Sequence, residues 1–214
     1  MTQLNTIPVW SNILKTEADL RAIYQQPSAP AVAKTFARLD DHFRRFIELS
    51  PFACLGTMGL NGLADVTPRG GEPGFVHVLS PTHLAMPDRP GTNRLDSFSN
   101  VLQRPGVGMV FFIPGFEDTL RVNGIAQLTT DESLMRRFIV KDKLPLAVIV
   151  IEVKEAYLHC GKAIRRAGLW NAESQIDRRT YPTVGQIYRD QLALGIEVAI
   201  MDAAFEKDAR ERLY

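Results

Sequence analysis

Between Asp65 and Asn123 the chain concentrates polar and charged side chains, several of them able to grip an anion: Thr67, Arg69, Asp88, Arg89, Asn93, Arg94, Asp96, Ser97 and Arg121. Six of these nine fall in one ten-residue run, Asp88-Arg89-Pro90-Gly91-Thr92-Asn93-Arg94-Leu95-Asp96-Ser97, a polar loop that closes into a helix start. A phosphate monoester dianion needs about two cationic forks and several neutral donors to replace its water, and the run supplies two guanidinium groups, an amide and two hydroxyls. The same residues would equally serve a solvated loop whose arginines are neutralised by Asp88 and Asp96. Composition leaves both readings open.

Other chemistry-bearing residues lead to plainer readings. Gly56, Gly59 and Gly62 have the spacing of a nucleotide-binding turn, but they join one strand to another, whereas a dinucleotide turn opens a helix whose N–H groups meet the phosphates. A hairpin with its bend at Asn61-Gly62 is expected instead. His77 and His83 flank the Ser80-Pro81 turn, with no carboxylate or cysteine at ligand spacing, and His42 sits on a charged helix; ordinary surface histidines are expected at all three. Cys54 and Cys160 form neither a CxxC pair nor a disulfide framework, so no metal site is expected. No Ser/His/Asp or Cys/His set lies on a nucleophile elbow.

The elements that must position the polar loop follow from periodicity. Thr16 opens a helix through Leu20, Ile23 and Tyr24 that Pro27 stops. Phe36, Leu39, Phe43, Phe46 and Ile47 fall at helical spacing and predict a second helix, so the first fifty residues form a helical preamble. From Pro51, short apolar runs separated by Gly, Pro and Asn predict strands at 52–58, 64–68, 76–79, 83–86, 108–113, 119–128 and 146–154. Helices capped by Asp96 and Asp131 interrupt them, and helices at 183–194 and 202–213 end the chain. Strands joined by hairpins and short crossovers point to an antiparallel barrel rather than a doubly wound parallel sheet. The expected organisation is one domain over 1–214, mainly β with flanking helices.

At 214 residues the chain can bury roughly 70% of its unfolded surface and needs no staple. Twenty-five Lys and Arg against 24 Asp and Glu leave a net charge of +1, which argues against a protein that coats nucleic acid or an anionic membrane. Single-stranded nucleic acid would also require aromatic residues interleaved with the cations, and only Phe75, Phe98 and Phe116 lie nearby. Met1 to Val9 lacks a basic start followed by an apolar stretch, and no apolar run approaches the ~20 residues of a membrane span, so a soluble, cytoplasmic protein is expected.

Three strings sharpen this reading. Ala64-Asp65-Val66-Thr67-Pro68-Arg69-Gly70, Met86-Pro87 with the 88–97 loop, and Leu120-Arg121-Val122-Asn123-Gly124 follow in the order found in the FMN-binding split-barrel family that includes pyridoxamine 5'-phosphate oxidase. The resemblance runs from about Phe52 to Leu128, with a similar tail from His159 to Trp170. It implies an antiparallel split β-barrel and bound FMN. Carried over by position, Arg69 would approach the flavin or its phosphate, and Asp65, Val66 and Thr67 would lie against the isoalloxazine edge. Arg89, Asn93, Arg94 and Ser97 would form the phosphate loop, Met86 and Pro87 would underlie the ribityl chain, and Thr119 would make a polar ring contact.

The resemblance further implies a homodimer with Lys162 and Trp170 reaching the partner's cofactor. The activity it implies is hydride transfer to or from FMN by an oxidoreductase acting on a small molecule or electron donor; a flavin-binding or storage protein without turnover is the alternative. The 210–214 tail, Arg-Glu-Arg-Leu-Tyr, does not match the oxidase's substrate-reading pattern, so oxidation of vitamin B6 is not the preferred activity.

Overall fold

The computed structural model describes residues 10–214, so the expectation drawn from Met1 to Val9 lies outside the described residues. The chain resolves into two compact units, 1–34 and 35–214. In the first, α1 (Glu17–Ile23) begins with a reciprocal cap in which the Asp19 N–H donates to Thr16 Oγ1 and the Thr16 N–H to the Asp19 carboxylate. A single helical turn, α2 (Ala29–Ala33), starts at Ser28-Ala29-Pro30, where proline's missing N–H costs nothing.

The second unit opens with α3 (Asp41–Leu49), shorter than the spacing predicts. Asp40 accepts from the Phe43 N–H at 2.8 Å and starts the helix there. Phe36, expected inside this helix, instead forms a two-way backbone bridge with Ala156. Phe43, Phe46 and Ile47 keep their predicted role on the buried face.

Six strands then follow the expected course: β1 (Phe52–Met58), β2 (Ala64–Gly70), β3 (His77–Ser80), β4 (His83–Pro87), then after α4 (Asp96–Gln103) β5 (Gly106–Phe112) and β6 (Thr119–Thr129). Beyond α5 (Glu132–Met135) and a 3₁₀ turn, β7 (Val148–His159) runs five residues past its predicted end, because β6 offers ladder partners as far as Thr119. The sheet order is β2-β1-β5-β6-β7-β4-β3, antiparallel throughout. Leu55, Leu84, Met86, Phe111, Leu120, Ile149 and Ile151 fill a single core with the α3 side chains. This mainly β, antiparallel arrangement with flanking helices is a split β-barrel.

The longest ladder, β6 with β7, shifts register at Asn123/Gly124, where Lys154 is the extra residue. A Cβ at Gly124 would come within 2.3 Å of the Glu152 carbonyl oxygen, so only glycine permits this close approach. The hairpin expected at Asn61-Gly62 is present, with Gly62 at φ +77°.

After β7 come α6 (Lys162–Ala167), α7 (Val184–Leu192) and α8 (Val198–Glu211). One expected cap and one expected helix start differ. Asp96 lies inside α4, whose N-cap is Leu95 in the left-handed region. Asp202 lies inside α8, which starts four residues earlier than predicted; its carboxylate accepts from the Gly185 N–H at 2.8 Å and so satisfies the start of α7 instead.

Candidate functional site

The alternation of β2 puts Asp65, Thr67 and Arg69 on its half-buried face, while Ala64, Val66, Pro68 and Gly70 stay exposed. Because β2 is an edge of the sheet and β4 lies next to the other edge, that face looks across a gap toward Pro87 and the loop that follows it. The gap is a cleft of about 580 Å³, within the roughly 300–1,000 Å³ of small-ligand sites. It is lined by β2 from Asp65 to Gly70 and the stretch from Pro87 to Phe98, together with Phe75 and Leu213.

Arg69 is the central cation. Its Nη2 donates to the buried Ser97 hydroxyl at 2.7 Å, and its Cζ lies 5.9 Å from the centroid of the Phe98 ring. Nη1 stands 3.8 Å from Asp88 Oδ1, too far for a hydrogen bond, and the buried Nε has no partner. Burial pushes the Arg69 guanidinium below its ordinary value, with Asp88 and Asp65 only partly opposing, and burial likewise raises the Asp88 carboxyl despite Arg69 nearby. The pair is therefore incompletely compensated: burial has cost each charge water, and the two have not closed on each other.

The loop is anchored at both ends. The Asp88 N–H donates to the Ala147 carbonyl at 2.9 Å, continuing the β4–β7 ladder by one residue. Arg89 donates from Nη2 to the Phe138 carbonyl at 2.9 Å, and its Cζ lies 5.4 Å from the centroid of the Tyr214 ring. Asn93 and Leu95 both take φ near +57°, at 56° and 58°, a conformation that L-residues adopt at a cost and that is often retained at binding sites. With Leu95 as N-cap, the first turn of α4 receives no side-chain cap, and it faces the cleft.

The sequence-predicted site residues divide as follows. Asp65, Val66, Thr67, Arg69, Pro87, Arg89, Asn93, Arg94 and Ser97 line the cleft together. Arg94 stands at the rim, exposed, its Nε donating to Asp96 at 2.7 Å. Met86 is buried in the core behind Pro87 rather than on the cleft wall. Thr119 is buried at the start of β6 opposite His159. Exposed Lys162 and half-buried Trp170 lie in the α6 segment, where Trp170 Nε1 donates to the Phe116 carbonyl at 2.6 Å and Arg165 pairs with Glu117. These four are not cleft-lining residues of their own chain.

Sequence reasoning did not assign Gly91, Leu213 or Phe75 to the site. Phe75 follows the Glu72-Pro73-Gly74 turn as an isolated aromatic beside a polar stretch, which is a usable signal; Leu213 has none. His77 and His83 do not meet across their hairpin. His77 stacks on Phe138 at 4.1 Å between centroids, where burial and Arg137 lower its pKa, and His83 hydrogen-bonds within the Ser80/Thr82 turn. Among the described residues no cluster of His, Cys, Asp and Glu could hold a metal, and no helix is long and apolar enough to cross a membrane.

A family profile described as pyridoxamine 5'-phosphate oxidase matches residues 39–160. No curated protein matches the chain by sequence. Among solved structures, the chain is similar to HupZ of group A Streptococcus, at 15% identity and a TM-score of 0.47 over 56% of this chain and 93% of that one. It is also similar to a candidate pyridoxamine 5'-phosphate oxidase of Lactobacillus delbrueckii, at 20% and 0.47 over 57% and 95%. An FMN-binding protein of Syntrophomonas wolfei matches at 11% and 0.43 over 54% and 82%.

Proposed function

Because the chain belongs to the pyridoxamine 5'-phosphate oxidase family, we propose that the cleft between β2 and the 88–97 loop binds FMN and that the protein is a flavin-dependent oxidoreductase of a small molecule. One observation carries the reading: Arg69, a largely buried guanidinium on the cleft wall whose pair to Asp88 is unclosed, is the cation that a bound anion would complete. The donor set fits a terminal phosphate. Arg69, the Ser97 hydroxyl and the uncapped first turn of α4 would hold it, with Arg89 and Asn93 along the loop and Arg94 at the rim. Asp65, Val66 and Thr67 would flank the ring edge, and Pro87, backed by Met86, would support the ribityl chain.

The cleft supplies one phosphate-binding end, and Gly56, Gly59 and Gly62 form a hairpin rather than a second one, which favours FMN over FAD. When bound, the flavin supplies the hydride acceptor or donor, while the protein orients it and excludes water. Lys162 and Trp170 would reach a flavin only on a second subunit, so the reading includes a homodimer. Sedimentation of the FMN-loaded protein is expected to give twice the monomer mass; a monomer with flavin still bound would remove the shared site.

Heat release of the cofactor and mass measurement test the ligand. FMN is the expected result, and FAD, or no flavin after reconstitution with FMN, would overturn the proposal. The residues lining the cleft include no His, Tyr or Cys, which favours a second reading, a flavin-binding protein without turnover. Reduction of the bound flavin by NADH or NADPH separates the two.

A further inference from the structure

Arg89 lines the cleft and also two neighbouring cavities, of about 510 and 190 Å³, and Tyr214 lines both of those with it. The two side chains therefore stand together beside hollow space rather than in a packed core. The Arg89 Cζ lies 5.4 Å from the centroid of the Tyr214 ring, and Nη2 donates to the Phe138 carbonyl at 2.9 Å. A guanidinium has five N–H donors, so these contacts fix its plane and leave edge donors for the cleft.

Tyr214 is itself held from another part of the chain. In the 140–143 bend, Lys141 and Asp142 take φ of 51° and 60°, two consecutive left-handed residues where asparagine and glycine are usual. The bend brings Lys141 Nζ to 5.5 Å from the ring centroid, and Lys143 Nζ donates to the Tyr214 main-chain oxygen at 2.7 Å. One aromatic ring is thus shared by a cation of the bend and a cation of the 88–97 loop.

Without that ring Arg89 has somewhere else to go. Glu211 lines the larger cavity and Glu72 the smaller, and among the described residues neither carboxylate forms an ion pair. A long, flexible cation released from its aromatic partner would be drawn toward one of them and away from the cleft.

We propose that Tyr214 is a positioning residue for the anion site: its ring, braced by the 140–143 bend, holds the Arg89 guanidinium in the plane that serves the cleft. Tyr214 does not line the cleft, so it acts through Arg89 and not by touching the ligand. The inference rests on the flavin reading for the identity of that ligand.

FMN titration of the full-length wild type, Tyr214→Leu, Tyr214→Phe, Arg89→Ala and the Arg89→Ala/Tyr214→Leu double variant tests it. Tyr214→Leu is expected to weaken FMN by about fivefold or more, and Tyr214→Phe to stay within about twofold of wild type. In the Arg89→Ala background, Tyr214→Leu is expected to add nothing, whereas general damage to the fold would add its full effect. Wild-type affinity in Tyr214→Leu, an equal loss in Tyr214→Phe, or additive losses in the double variant would overturn the proposal. The Arg89 Nε–H resonance of the flavin-free protein, assigned by its disappearance in Arg89→Ala, reads the brace without any ligand. It is expected to shift in Tyr214→Leu and to hold its place in Tyr214→Phe; an unmoved signal in Tyr214→Leu refutes the brace. A wild type that shows the brace but binds no FMN loses the flavin reading and keeps the Tyr214–Arg89 coupling.

Discussion

Arg69 on the strand wall and Arg94 on the loop wall carry the same guanidinium and face the same cleft, yet their surroundings make them different instruments. The Arg94 side chain is 76% exposed and already satisfied by Asp96, so water screens it and little is gained by exchanging that partner for a ligand. The Arg69 side chain is only 21% exposed, hydrogen-bonded once, and lacks a closed counter-ion. Burial has removed its water without a full replacement, and an anion that supplies the replacement gains most of what the fold left unsatisfied.

The largest expected effect is that of Arg69→Ala, which should weaken FMN binding by about 2–3 kcal/mol, on the order of 30- to 160-fold, in a fluorescence-quenching titration. If Arg94→Ala costs as much or more, the comparison is reversed and the loop wall holds the phosphate. Ser97→Ala should come next, at about 1 kcal/mol, because Arg69 loses its acceptor and the cleft loses a hydroxyl.

A smaller effect should appear in the flavin-free protein as pH changes. Burial raises the Asp88 carboxyl above the ordinary 3.8, so the fold favours its neutral form. That contribution is complete below 3.8 and is lost as pH rises through the raised folded-state value. Urea midpoints of wild type measured against Asp88→Asn should therefore diverge, with wild type losing ground across that window; parallel curves would mean that the Arg69–Asp88 pair is fully compensated after all. The smallest effect should be that of Arg94→Ala, which should leave FMN affinity close to wild type in the same titration.

The contrast also marks what could be read without coordinates. Strand positions came through almost intact because alternation and turn residues are local signals: the predicted 52–58 strand is β1 to the residue. Helix starts were less legible wherever tertiary partners recruited the side chains. Phe36 had the right spacing for a helix and was taken by Ala156, and Asp96 had the right chemistry for its own cap and pairs with Arg94 instead. The cleft's residue set was legible as a polar loop plus a strand. Its ranking was not, since burial separates Arg69 from Arg94 and burial is a property of the packed chain. Leu213 and Tyr214 were invisible for the same reason: their partners at the cleft and at Arg89 are more than a hundred residues away in sequence.

The long strand β7 has one more consequence. At one end, the Ala147 carbonyl just before it holds the Asp88 N–H; at the other, His159 leads into the α6 segment that carries Lys162 and Trp170. Twelve residues of extended chain measure on the order of 40 Å, so this single strand works as a beam joining the 88–97 loop to the segment proposed to reach a second subunit. The bulge at Gly124 and Lys154 is its one joint. A methyl group at position 124 would wedge against Glu152 and tilt the beam, so damage inflicted in mid-barrel should be felt at both of its ends, neither of which the altered residue touches.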